Sequence, residues 1–104
     1  MTRAISSKAI TVLGATGSIG VSTLDVVAQH PDRFHIFALT ANHNTEKLFD
    51  QCQQFRPQYA VMVDEPAAEK LQGLLRNAGS ETEVLSGVGA LESVSADSSV
   101  DYVM

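Results

Sequence analysis

Residues 13–20, LGATGSIG, set three glycines three residues apart, directly after one apolar run and directly before another. The run before them, residues 9–13 (AITVL), is apolar apart from Thr11, as expected of an interior parallel strand covered on both faces. After them Ile19, Val21, Leu24, Val27 and Ala28 recur at three- to four-residue intervals, and Pro31 closes the segment. That spacing predicts a helix over residues 19–29 with these side chains inward. A glycine-rich turn from strand to helix is where an open parallel sheet meets a phosphate. Each glycine then plays its own part. Gly14 permits the sharp exit from the strand, Gly17 offers bare backbone to a pyrophosphate, and Gly20 allows close approach of helix to sheet. The N–H groups of residues 16–19, at the positive end of the helix, are the expected donors, with the Thr16 and Ser18 hydroxyls beside them. The competing reading is a tight turn whose glycines serve packing alone. A P-loop is excluded, because no lysine follows the last glycine.

Beyond the helix the pattern repeats. Residues 33–39 (RFHIFAL), 59–63 (YAVMV) and 82–87 (TEVLSG) read as strands. Between them lie a helix capped by Thr45, with Leu48, Phe49, Cys52 and Phe55 on one face, and a helix over residues 66–77 with Leu71, Leu74 and Leu75 inward. Gly79 suits the left-handed position that ends the second of these. Residues 87–94 predict a further short helix, and residues 100–104 (VDYVM) open another apolar run. Strands alternating with helices over short loops require right-handed crossovers and a parallel sheet. The expected fold class is α/β, a Rossmann-like doubly wound sheet of about five strands with helices on both faces. The last apolar run has no helix to cover it, so the sheet reads as incomplete and the chain as part of a longer one.

The 104 residues bound the chain to a single domain, and a hydrophobic fraction of 44% with 18% charged residues belongs to an ordinary globular one. A net charge of −5 with scattered Lys and Arg argues against a nucleic-acid partner. The single cysteine excludes an internal disulfide and a Cys-x-x-Cys pair. No leader-like apolar stretch opens the chain and no run of eighteen apolar residues occurs, so no membrane partner and a cytoplasmic location are expected.

An NAD site commonly carries an acid at the end of the second strand, where it binds the ribose 2′-hydroxyl. Here that place is residues 39–44, LTANHN, without a carboxylate. The absence permits a 2′-phosphate and favours NADP over NAD. Asn42, His43 and Asn44 can donate hydrogen bonds, and Lys47 adds charge nearby; the alternative is a solvated polar loop. Elsewhere His30 and His35 read as structural, Cys52 as a core residue, and the acids as a solvated surface. Neither Tyr59 nor Tyr102 has a lysine four residues on. No catalytic constellation emerges.

Taken together, the glycine loop, STLDVV at residues 22–27, YAVMVDE at 59–65 and TEVLSG at 82–87 make the sequence resemble the 1-deoxy-D-xylulose 5-phosphate reductoisomerase family along almost its whole length. The resemblance implies that residues 1–104 are the first part of an NADPH-binding domain, with the catalytic and C-terminal domains outside it. It implies an NADPH-dependent conversion of 1-deoxy-D-xylulose 5-phosphate to 2-C-methyl-D-erythritol 4-phosphate, in isoprenoid precursor synthesis, by a homodimer using Mg²⁺ or Mn²⁺. Cofactor contacts carried over by position fall on Thr16, Gly17, Ser18 and Ile19 and on Asn42, His43 and Asn44, while no catalytic or metal-binding residue falls within the chain. In the second loop the sequence departs from the family's common Ala-Gly-Lys-Asn form, with Asn42 for the glycine and His43 for the lysine. Asparagine tolerates a left-handed backbone, but a lysine's permanent charge becomes a histidine's partial one. Two other readings stay open: a reductase of the semialdehyde dehydrogenase kind, for which Cys52 is misplaced, and a stand-alone nucleotide-binding module without chemistry.

Overall fold

In the computed structural model, which describes residues 7–104, short β-rich runs pair into one parallel sheet and the segments between them coil into helices. Residues 1–6, the start of the chain read above for a leader, lie outside the described residues. The strands are β1 (Lys8–Val12), β2 (Phe34–Ala41), β3 (Tyr59–Met62), β4 (Glu83–Ser86) and β5 (Tyr102–Val103). The helices are α1 (Ser18–Gln29), α2 (Thr45–Phe55), α3 (Glu65–Asn77) and α4 (Gly87–Ala96). The sheet order is β4-β3-β2-β1-β5, and every pair is parallel.

Three successive crossovers step the same way across the sheet, so right-handedness puts α1, α2 and α3 on one face. The fourth returns past β1 and puts α4 on the other. Two apolar clusters match these faces. One joins Ile10, Val12, Leu39 and Met62 to Leu24 and Val27 of α1, Leu48 and Cys52 of α2, and Leu71 and Leu75 of α3. The other joins Ala9, Phe37, Ala38 and Val61 to Val94 of α4. Thr11, the polar exception in β1, donates from its buried hydroxyl to the Val94 carbonyl at 2.9 Å and so fastens α4 to the sheet. The direction of winding reverses between β1 and β5, and ligands of open α/β sheets sit at such a reversal, outside the strands' carboxyl ends.

The pairing of β1 with β2 shifts register between Ile10 and Thr11, which face Ile36 and Ala38. Phe37 is therefore an extra residue in β2, and it points to the same cluster as Ala38. At the end of α3 Gly79 takes φ 73°; its N–H donates to the Arg76 carbonyl, and that of Ser80 to Leu75, the paired bonds of a Schellman turn.

Several expectations change in detail. The inward stripe of α1 is Gly20, Leu24 and Val27, whereas Ala28 is exposed and Ile19 is 83% exposed. A glycine, counted as no hydrophobe in the sequence pattern, fills the first position of that stripe and rotates it away from Ile19. Thr45 is not the cap of α2 but its first residue; Asn44 caps it, its Oδ1 accepting from the Lys47 N–H at 3.3 Å. Because β2 runs two residues beyond Leu39, the turn is shorter and the cap falls on Asn44. Of the last apolar run only Tyr102 and Val103 pair as strand, at an exposed sheet edge.

Candidate functional site

The turn from β1 to α1 lies at the winding reversal, and its three glycines stand in three different circumstances. Gly14 has φ 62°, a conformation a side chain makes costly. Gly20 meets the turn so closely that a Cβ would press into the Gly14 oxygen and come within 2.7 Å of Ala15 Cα. Gly17 has an ordinary φ of −80°, and a Cβ there would lie 3.4 Å from the Gly14 oxygen, a normal contact. Neither backbone nor packing demands a glycine at position 17.

The turn is tied from behind by β2 and α2. The Gly14 N–H donates to Thr40 Oγ1 at 3.0 Å, and the Ala15 N–H to the Thr40 carbonyl at 2.7 Å. The Ala15 carbonyl accepts from Gln51 Nε2 at 2.8 Å. Thr40 and Gln51 are both buried polar side chains, and the sequence patterns flagged neither. A polar residue in an apolar helical stripe was the available signal for Gln51: it sits one position before Cys52 and three after Leu48, both buried.

One expected donor is lost. The Gly17 N–H is taken by the Gly14 carbonyl at 3.0 Å, closing the turn. Among the described residues the N–H groups of Thr16, Ser18 and Ile19 take no backbone acceptor, Ser18 and Ile19 being the first two residues of α1. The N-cap position is Gly17, with no side-chain cap, and the first turn of α1 carries no acid. Helix-end donors left free in this way, with the positive end of the dipole behind them, suit an anion. A shallow depression of about 370 Å³ beside them is lined by Ser18, Ile19, Ser22, Thr23 and Val26.

The second loop leaves β2 at the same carboxyl edge. Thr40, which holds the glycine turn, stands two residues before Asn42, so the two loops are joined through one residue. The Val63 N–H donates to Ala41 and the Asp64 N–H to Asn42, each at 3.1 Å, which fixes the start of the loop against the end of β3. Asn42, His43 and Asn44 are exposed. The Asn44 oxygen is engaged as the helix cap, which holds the side chain in place and leaves its Nδ2 to donate beside Asn42 and His43. Asp64 brings a carboxylate to the same edge, but its Oδ2 faces the Ala67 N–H at 3.1 Å and caps α3.

Cys52 is 1% exposed, and burial pushes its thiol up to about 12, so it is no nucleophile. Among the described residues no three His, Cys, Asp or Glu side chains come together as a metal site would need. Among the same residues no helix is long and apolar enough to cross a membrane. A larger cleft, about 620 Å³, lies at the opposite end of the sheet among Arg56, Pro57, Gln58 and Thr82. It faces the amino ends of the strands, away from the free helix N–H groups.

Residues 10–104 match the family model described as 1-deoxy-D-xylulose 5-phosphate reductoisomerase. The enzyme of that name from Nitrosospira multiformis is 57% identical over 100 residues, covering 96% of this chain and 25% of the relative. The Zymomonas mobilis enzyme, solved in complex with NADPH, superposes with a TM-score of 0.88 at 38% identity, over 95% of this chain and 25% of that one. A reductoisomerase solved with NADPH, fosmidomycin and magnesium gives 0.88 at 36% identity, over 92% and 23%. The chain spans about a quarter of the length of the curated relatives it matches.

Proposed function

The chain belongs to the 1-deoxy-D-xylulose 5-phosphate reductoisomerase family, and on that footing we propose that residues 1–104 are the first part of a domain that holds NADPH for such an enzyme. Gly17 carries this reading. Neither φ nor packing requires a glycine there, and at this N-cap an Asn, Asp or Ser would serve the helix better; a ligand lying against the bare Cα explains why no side chain stands there. The pyrophosphate rests on the turn and takes hydrogen bonds from the Thr16, Ser18 and Ile19 N–H groups and from the Thr16 and Ser18 hydroxyls. The adenosine end reaches the second loop, where Asn42, His43 and Asn44 line the 2′-phosphate and Lys47 adds positive charge. When bound, the cofactor supplies hydride. The residues of this chain would bind and orient it, the turn holding the pyrophosphate and the β2 loop the adenosine.

The whole protein, on this reading, converts 1-deoxy-D-xylulose 5-phosphate to 2-C-methyl-D-erythritol 4-phosphate as a cytoplasmic homodimer with Mg²⁺ or Mn²⁺. The described residues offer that metal no ligand set, so no step through it is assigned to them. The test is calorimetric titration with NADPH and NADH of the wild-type chain and of Gly17→Ala. NADPH is expected to bind more tightly than NADH, and Gly17→Ala to weaken NADPH at least about tenfold, the cost of about one lost charge-assisted hydrogen bond, while the melting temperature falls only by the few degrees that alanine costs at an N-cap, so that the chain stays folded. A folded Gly17→Ala chain that binds NADPH as well as wild type would overturn the reading.

A further inference from the structure

Resting on that cofactor reading, we propose that Gln51 is a positioning residue for the pyrophosphate turn, acting by fixing the orientation of the Ala15–Thr16 peptide. Three observations carry it. Gln51 stands in the apolar stripe of α2, between Leu48 and Phe55, where a leucine would satisfy the core; instead an amide is buried there, with a residual exposure of 9%. Its Nε2 donates to the Ala15 carbonyl at 2.8 Å. Its Oε1 has no partner among the described residues, so the position keeps a polar group at the expense of a buried, unsatisfied acceptor. A side chain retained solely to fill space has an apolar alternative free of that penalty.

The gain lies in the geometry of one peptide unit. A trans peptide is planar, and its C=O and N–H point in opposite directions. The Ala15 carbonyl and the Thr16 N–H belong to the same unit. Gln51 draws the carbonyl inward toward α2, which turns the Thr16 N–H outward to the open side of the turn, where the anion lies. Rotated the other way, the unit would aim a carbonyl oxygen at the phosphate. The Ala15 N–H, held by the Thr40 carbonyl at 2.7 Å, anchors the preceding unit, so Gln51 governs the next one.

The test uses ¹⁵N-labelled chain, with wild type, Gln51→Met and Gln51→Asn. Methionine keeps the volume without the amide; asparagine keeps the amide but draws it back by one bond, about 1.5 Å. In both variants the Gly17 amide, whose bond to the Gly14 carbonyl spans the Ala15–Thr16 unit, is expected to exchange roughly five- to tenfold faster, the worth of one net hydrogen bond, while Ala60 and Val61 in β3 keep wild-type protection. NADPH affinity is expected to fall by a similar factor, with loss of the NADPH-induced shift at the Thr16 amide. Unchanged exchange at Gly17 would overturn the proposal, as would an equal rise at Ala60 and Val61, which would make Gln51 a contributor to global stability alone. If the turn loosens in the variants but the wild-type chain binds no NADPH, the cofactor reading falls and the hold of Gln51 on the turn stands.

Discussion

Gly20→Ala places one methyl group where α1 meets the glycine turn, and the structure sets the size of the response. The new Cβ would press into the Gly14 oxygen and lie 2.7 Å from Ala15 Cα and 2.9 Å from Ala15 C. Ordinary carbon contacts need about 3.5–4.0 Å, so helix and turn must part by roughly 1 Å. All three atoms are backbone and cannot swing aside. Their segment is also bonded to Thr40 and Gln51 on the far side, so the shift strains those hydrogen bonds too. Overpacking costs about 1–3 kcal/mol and an orphaned buried hydrogen-bonding group about 1–3 more, against a gain of up to about 1 from replacing a helical glycine. A net loss of about 2–4 kcal/mol is expected, or roughly 10–20 °C in melting temperature for a domain of this size. Thermal denaturation followed by circular dichroism reads it directly. If Gly20→Ala melts within about 2 °C of wild type, the close approach of α1 to the turn is wrong, and with it the division of roles between Gly17 and Gly20.

Three further outcomes are expected. The Cys52 thiol is protonated in the fold to about 12, against an ordinary 9.0, so the native chain holds the proton more tightly than the unfolded one. Its stabilising contribution is therefore complete below pH 9.0 and is lost as the pH rises toward about 12. Alkaline unfolding should consequently be less steep in Cys52→Ala, and an unchanged slope would contradict the burial. Arg56 ends α2 with φ 48°, so Arg56→Gly should stabilise the chain by about 0.5–1 kcal/mol, seen as a higher urea midpoint. A lower midpoint would show that the arginine side chain contributes more than its backbone costs. His43→Lys should raise the preference for NADPH over NADH severalfold, since lysine brings a permanent positive charge to the loop; equal preference before and after would remove His43 from the 2′-phosphate site.

The strands and the glycine turn could be read in the sequence because their determinants are local: continuous apolar runs, a glycine spacing, a Gly79 where a helix ends. Burial on both sheet faces leaves little room for polar residues in β1 to β3, and that shortage is visible in the letters. What could not be read depends on residues brought together by the sheet. Thr40 and Gln51 reach the turn from 26 and 36 residues away in the chain, and no motif spans such gaps. The Gly17 N–H reads as free because a helix N-terminus usually leaves it so, and only the folded turn shows the Gly14 carbonyl occupying it. Ile19 has the letter of a core residue, yet Gly20, which has no side chain to register in a hydrophobic pattern, occupies the inward position.

The extra residue in β2 bears on how the domain can change its length. Insertions and deletions are ordinarily confined to loops, because a residue removed from a core strand throws every later side chain onto the wrong face. Here Ile36 pairs with Ile10 and Ala38 with Thr11, so the frame on either side of Phe37 is already that of a strand one residue shorter. Excising Phe37 would forfeit its packing against Tyr59, 5.4 Å between ring centres, yet leave Leu39, Thr40 and Ala41 in register with β1 and β3. A buried strand in the middle of the sheet thus carries a site where a codon can be lost without frameshifting the core.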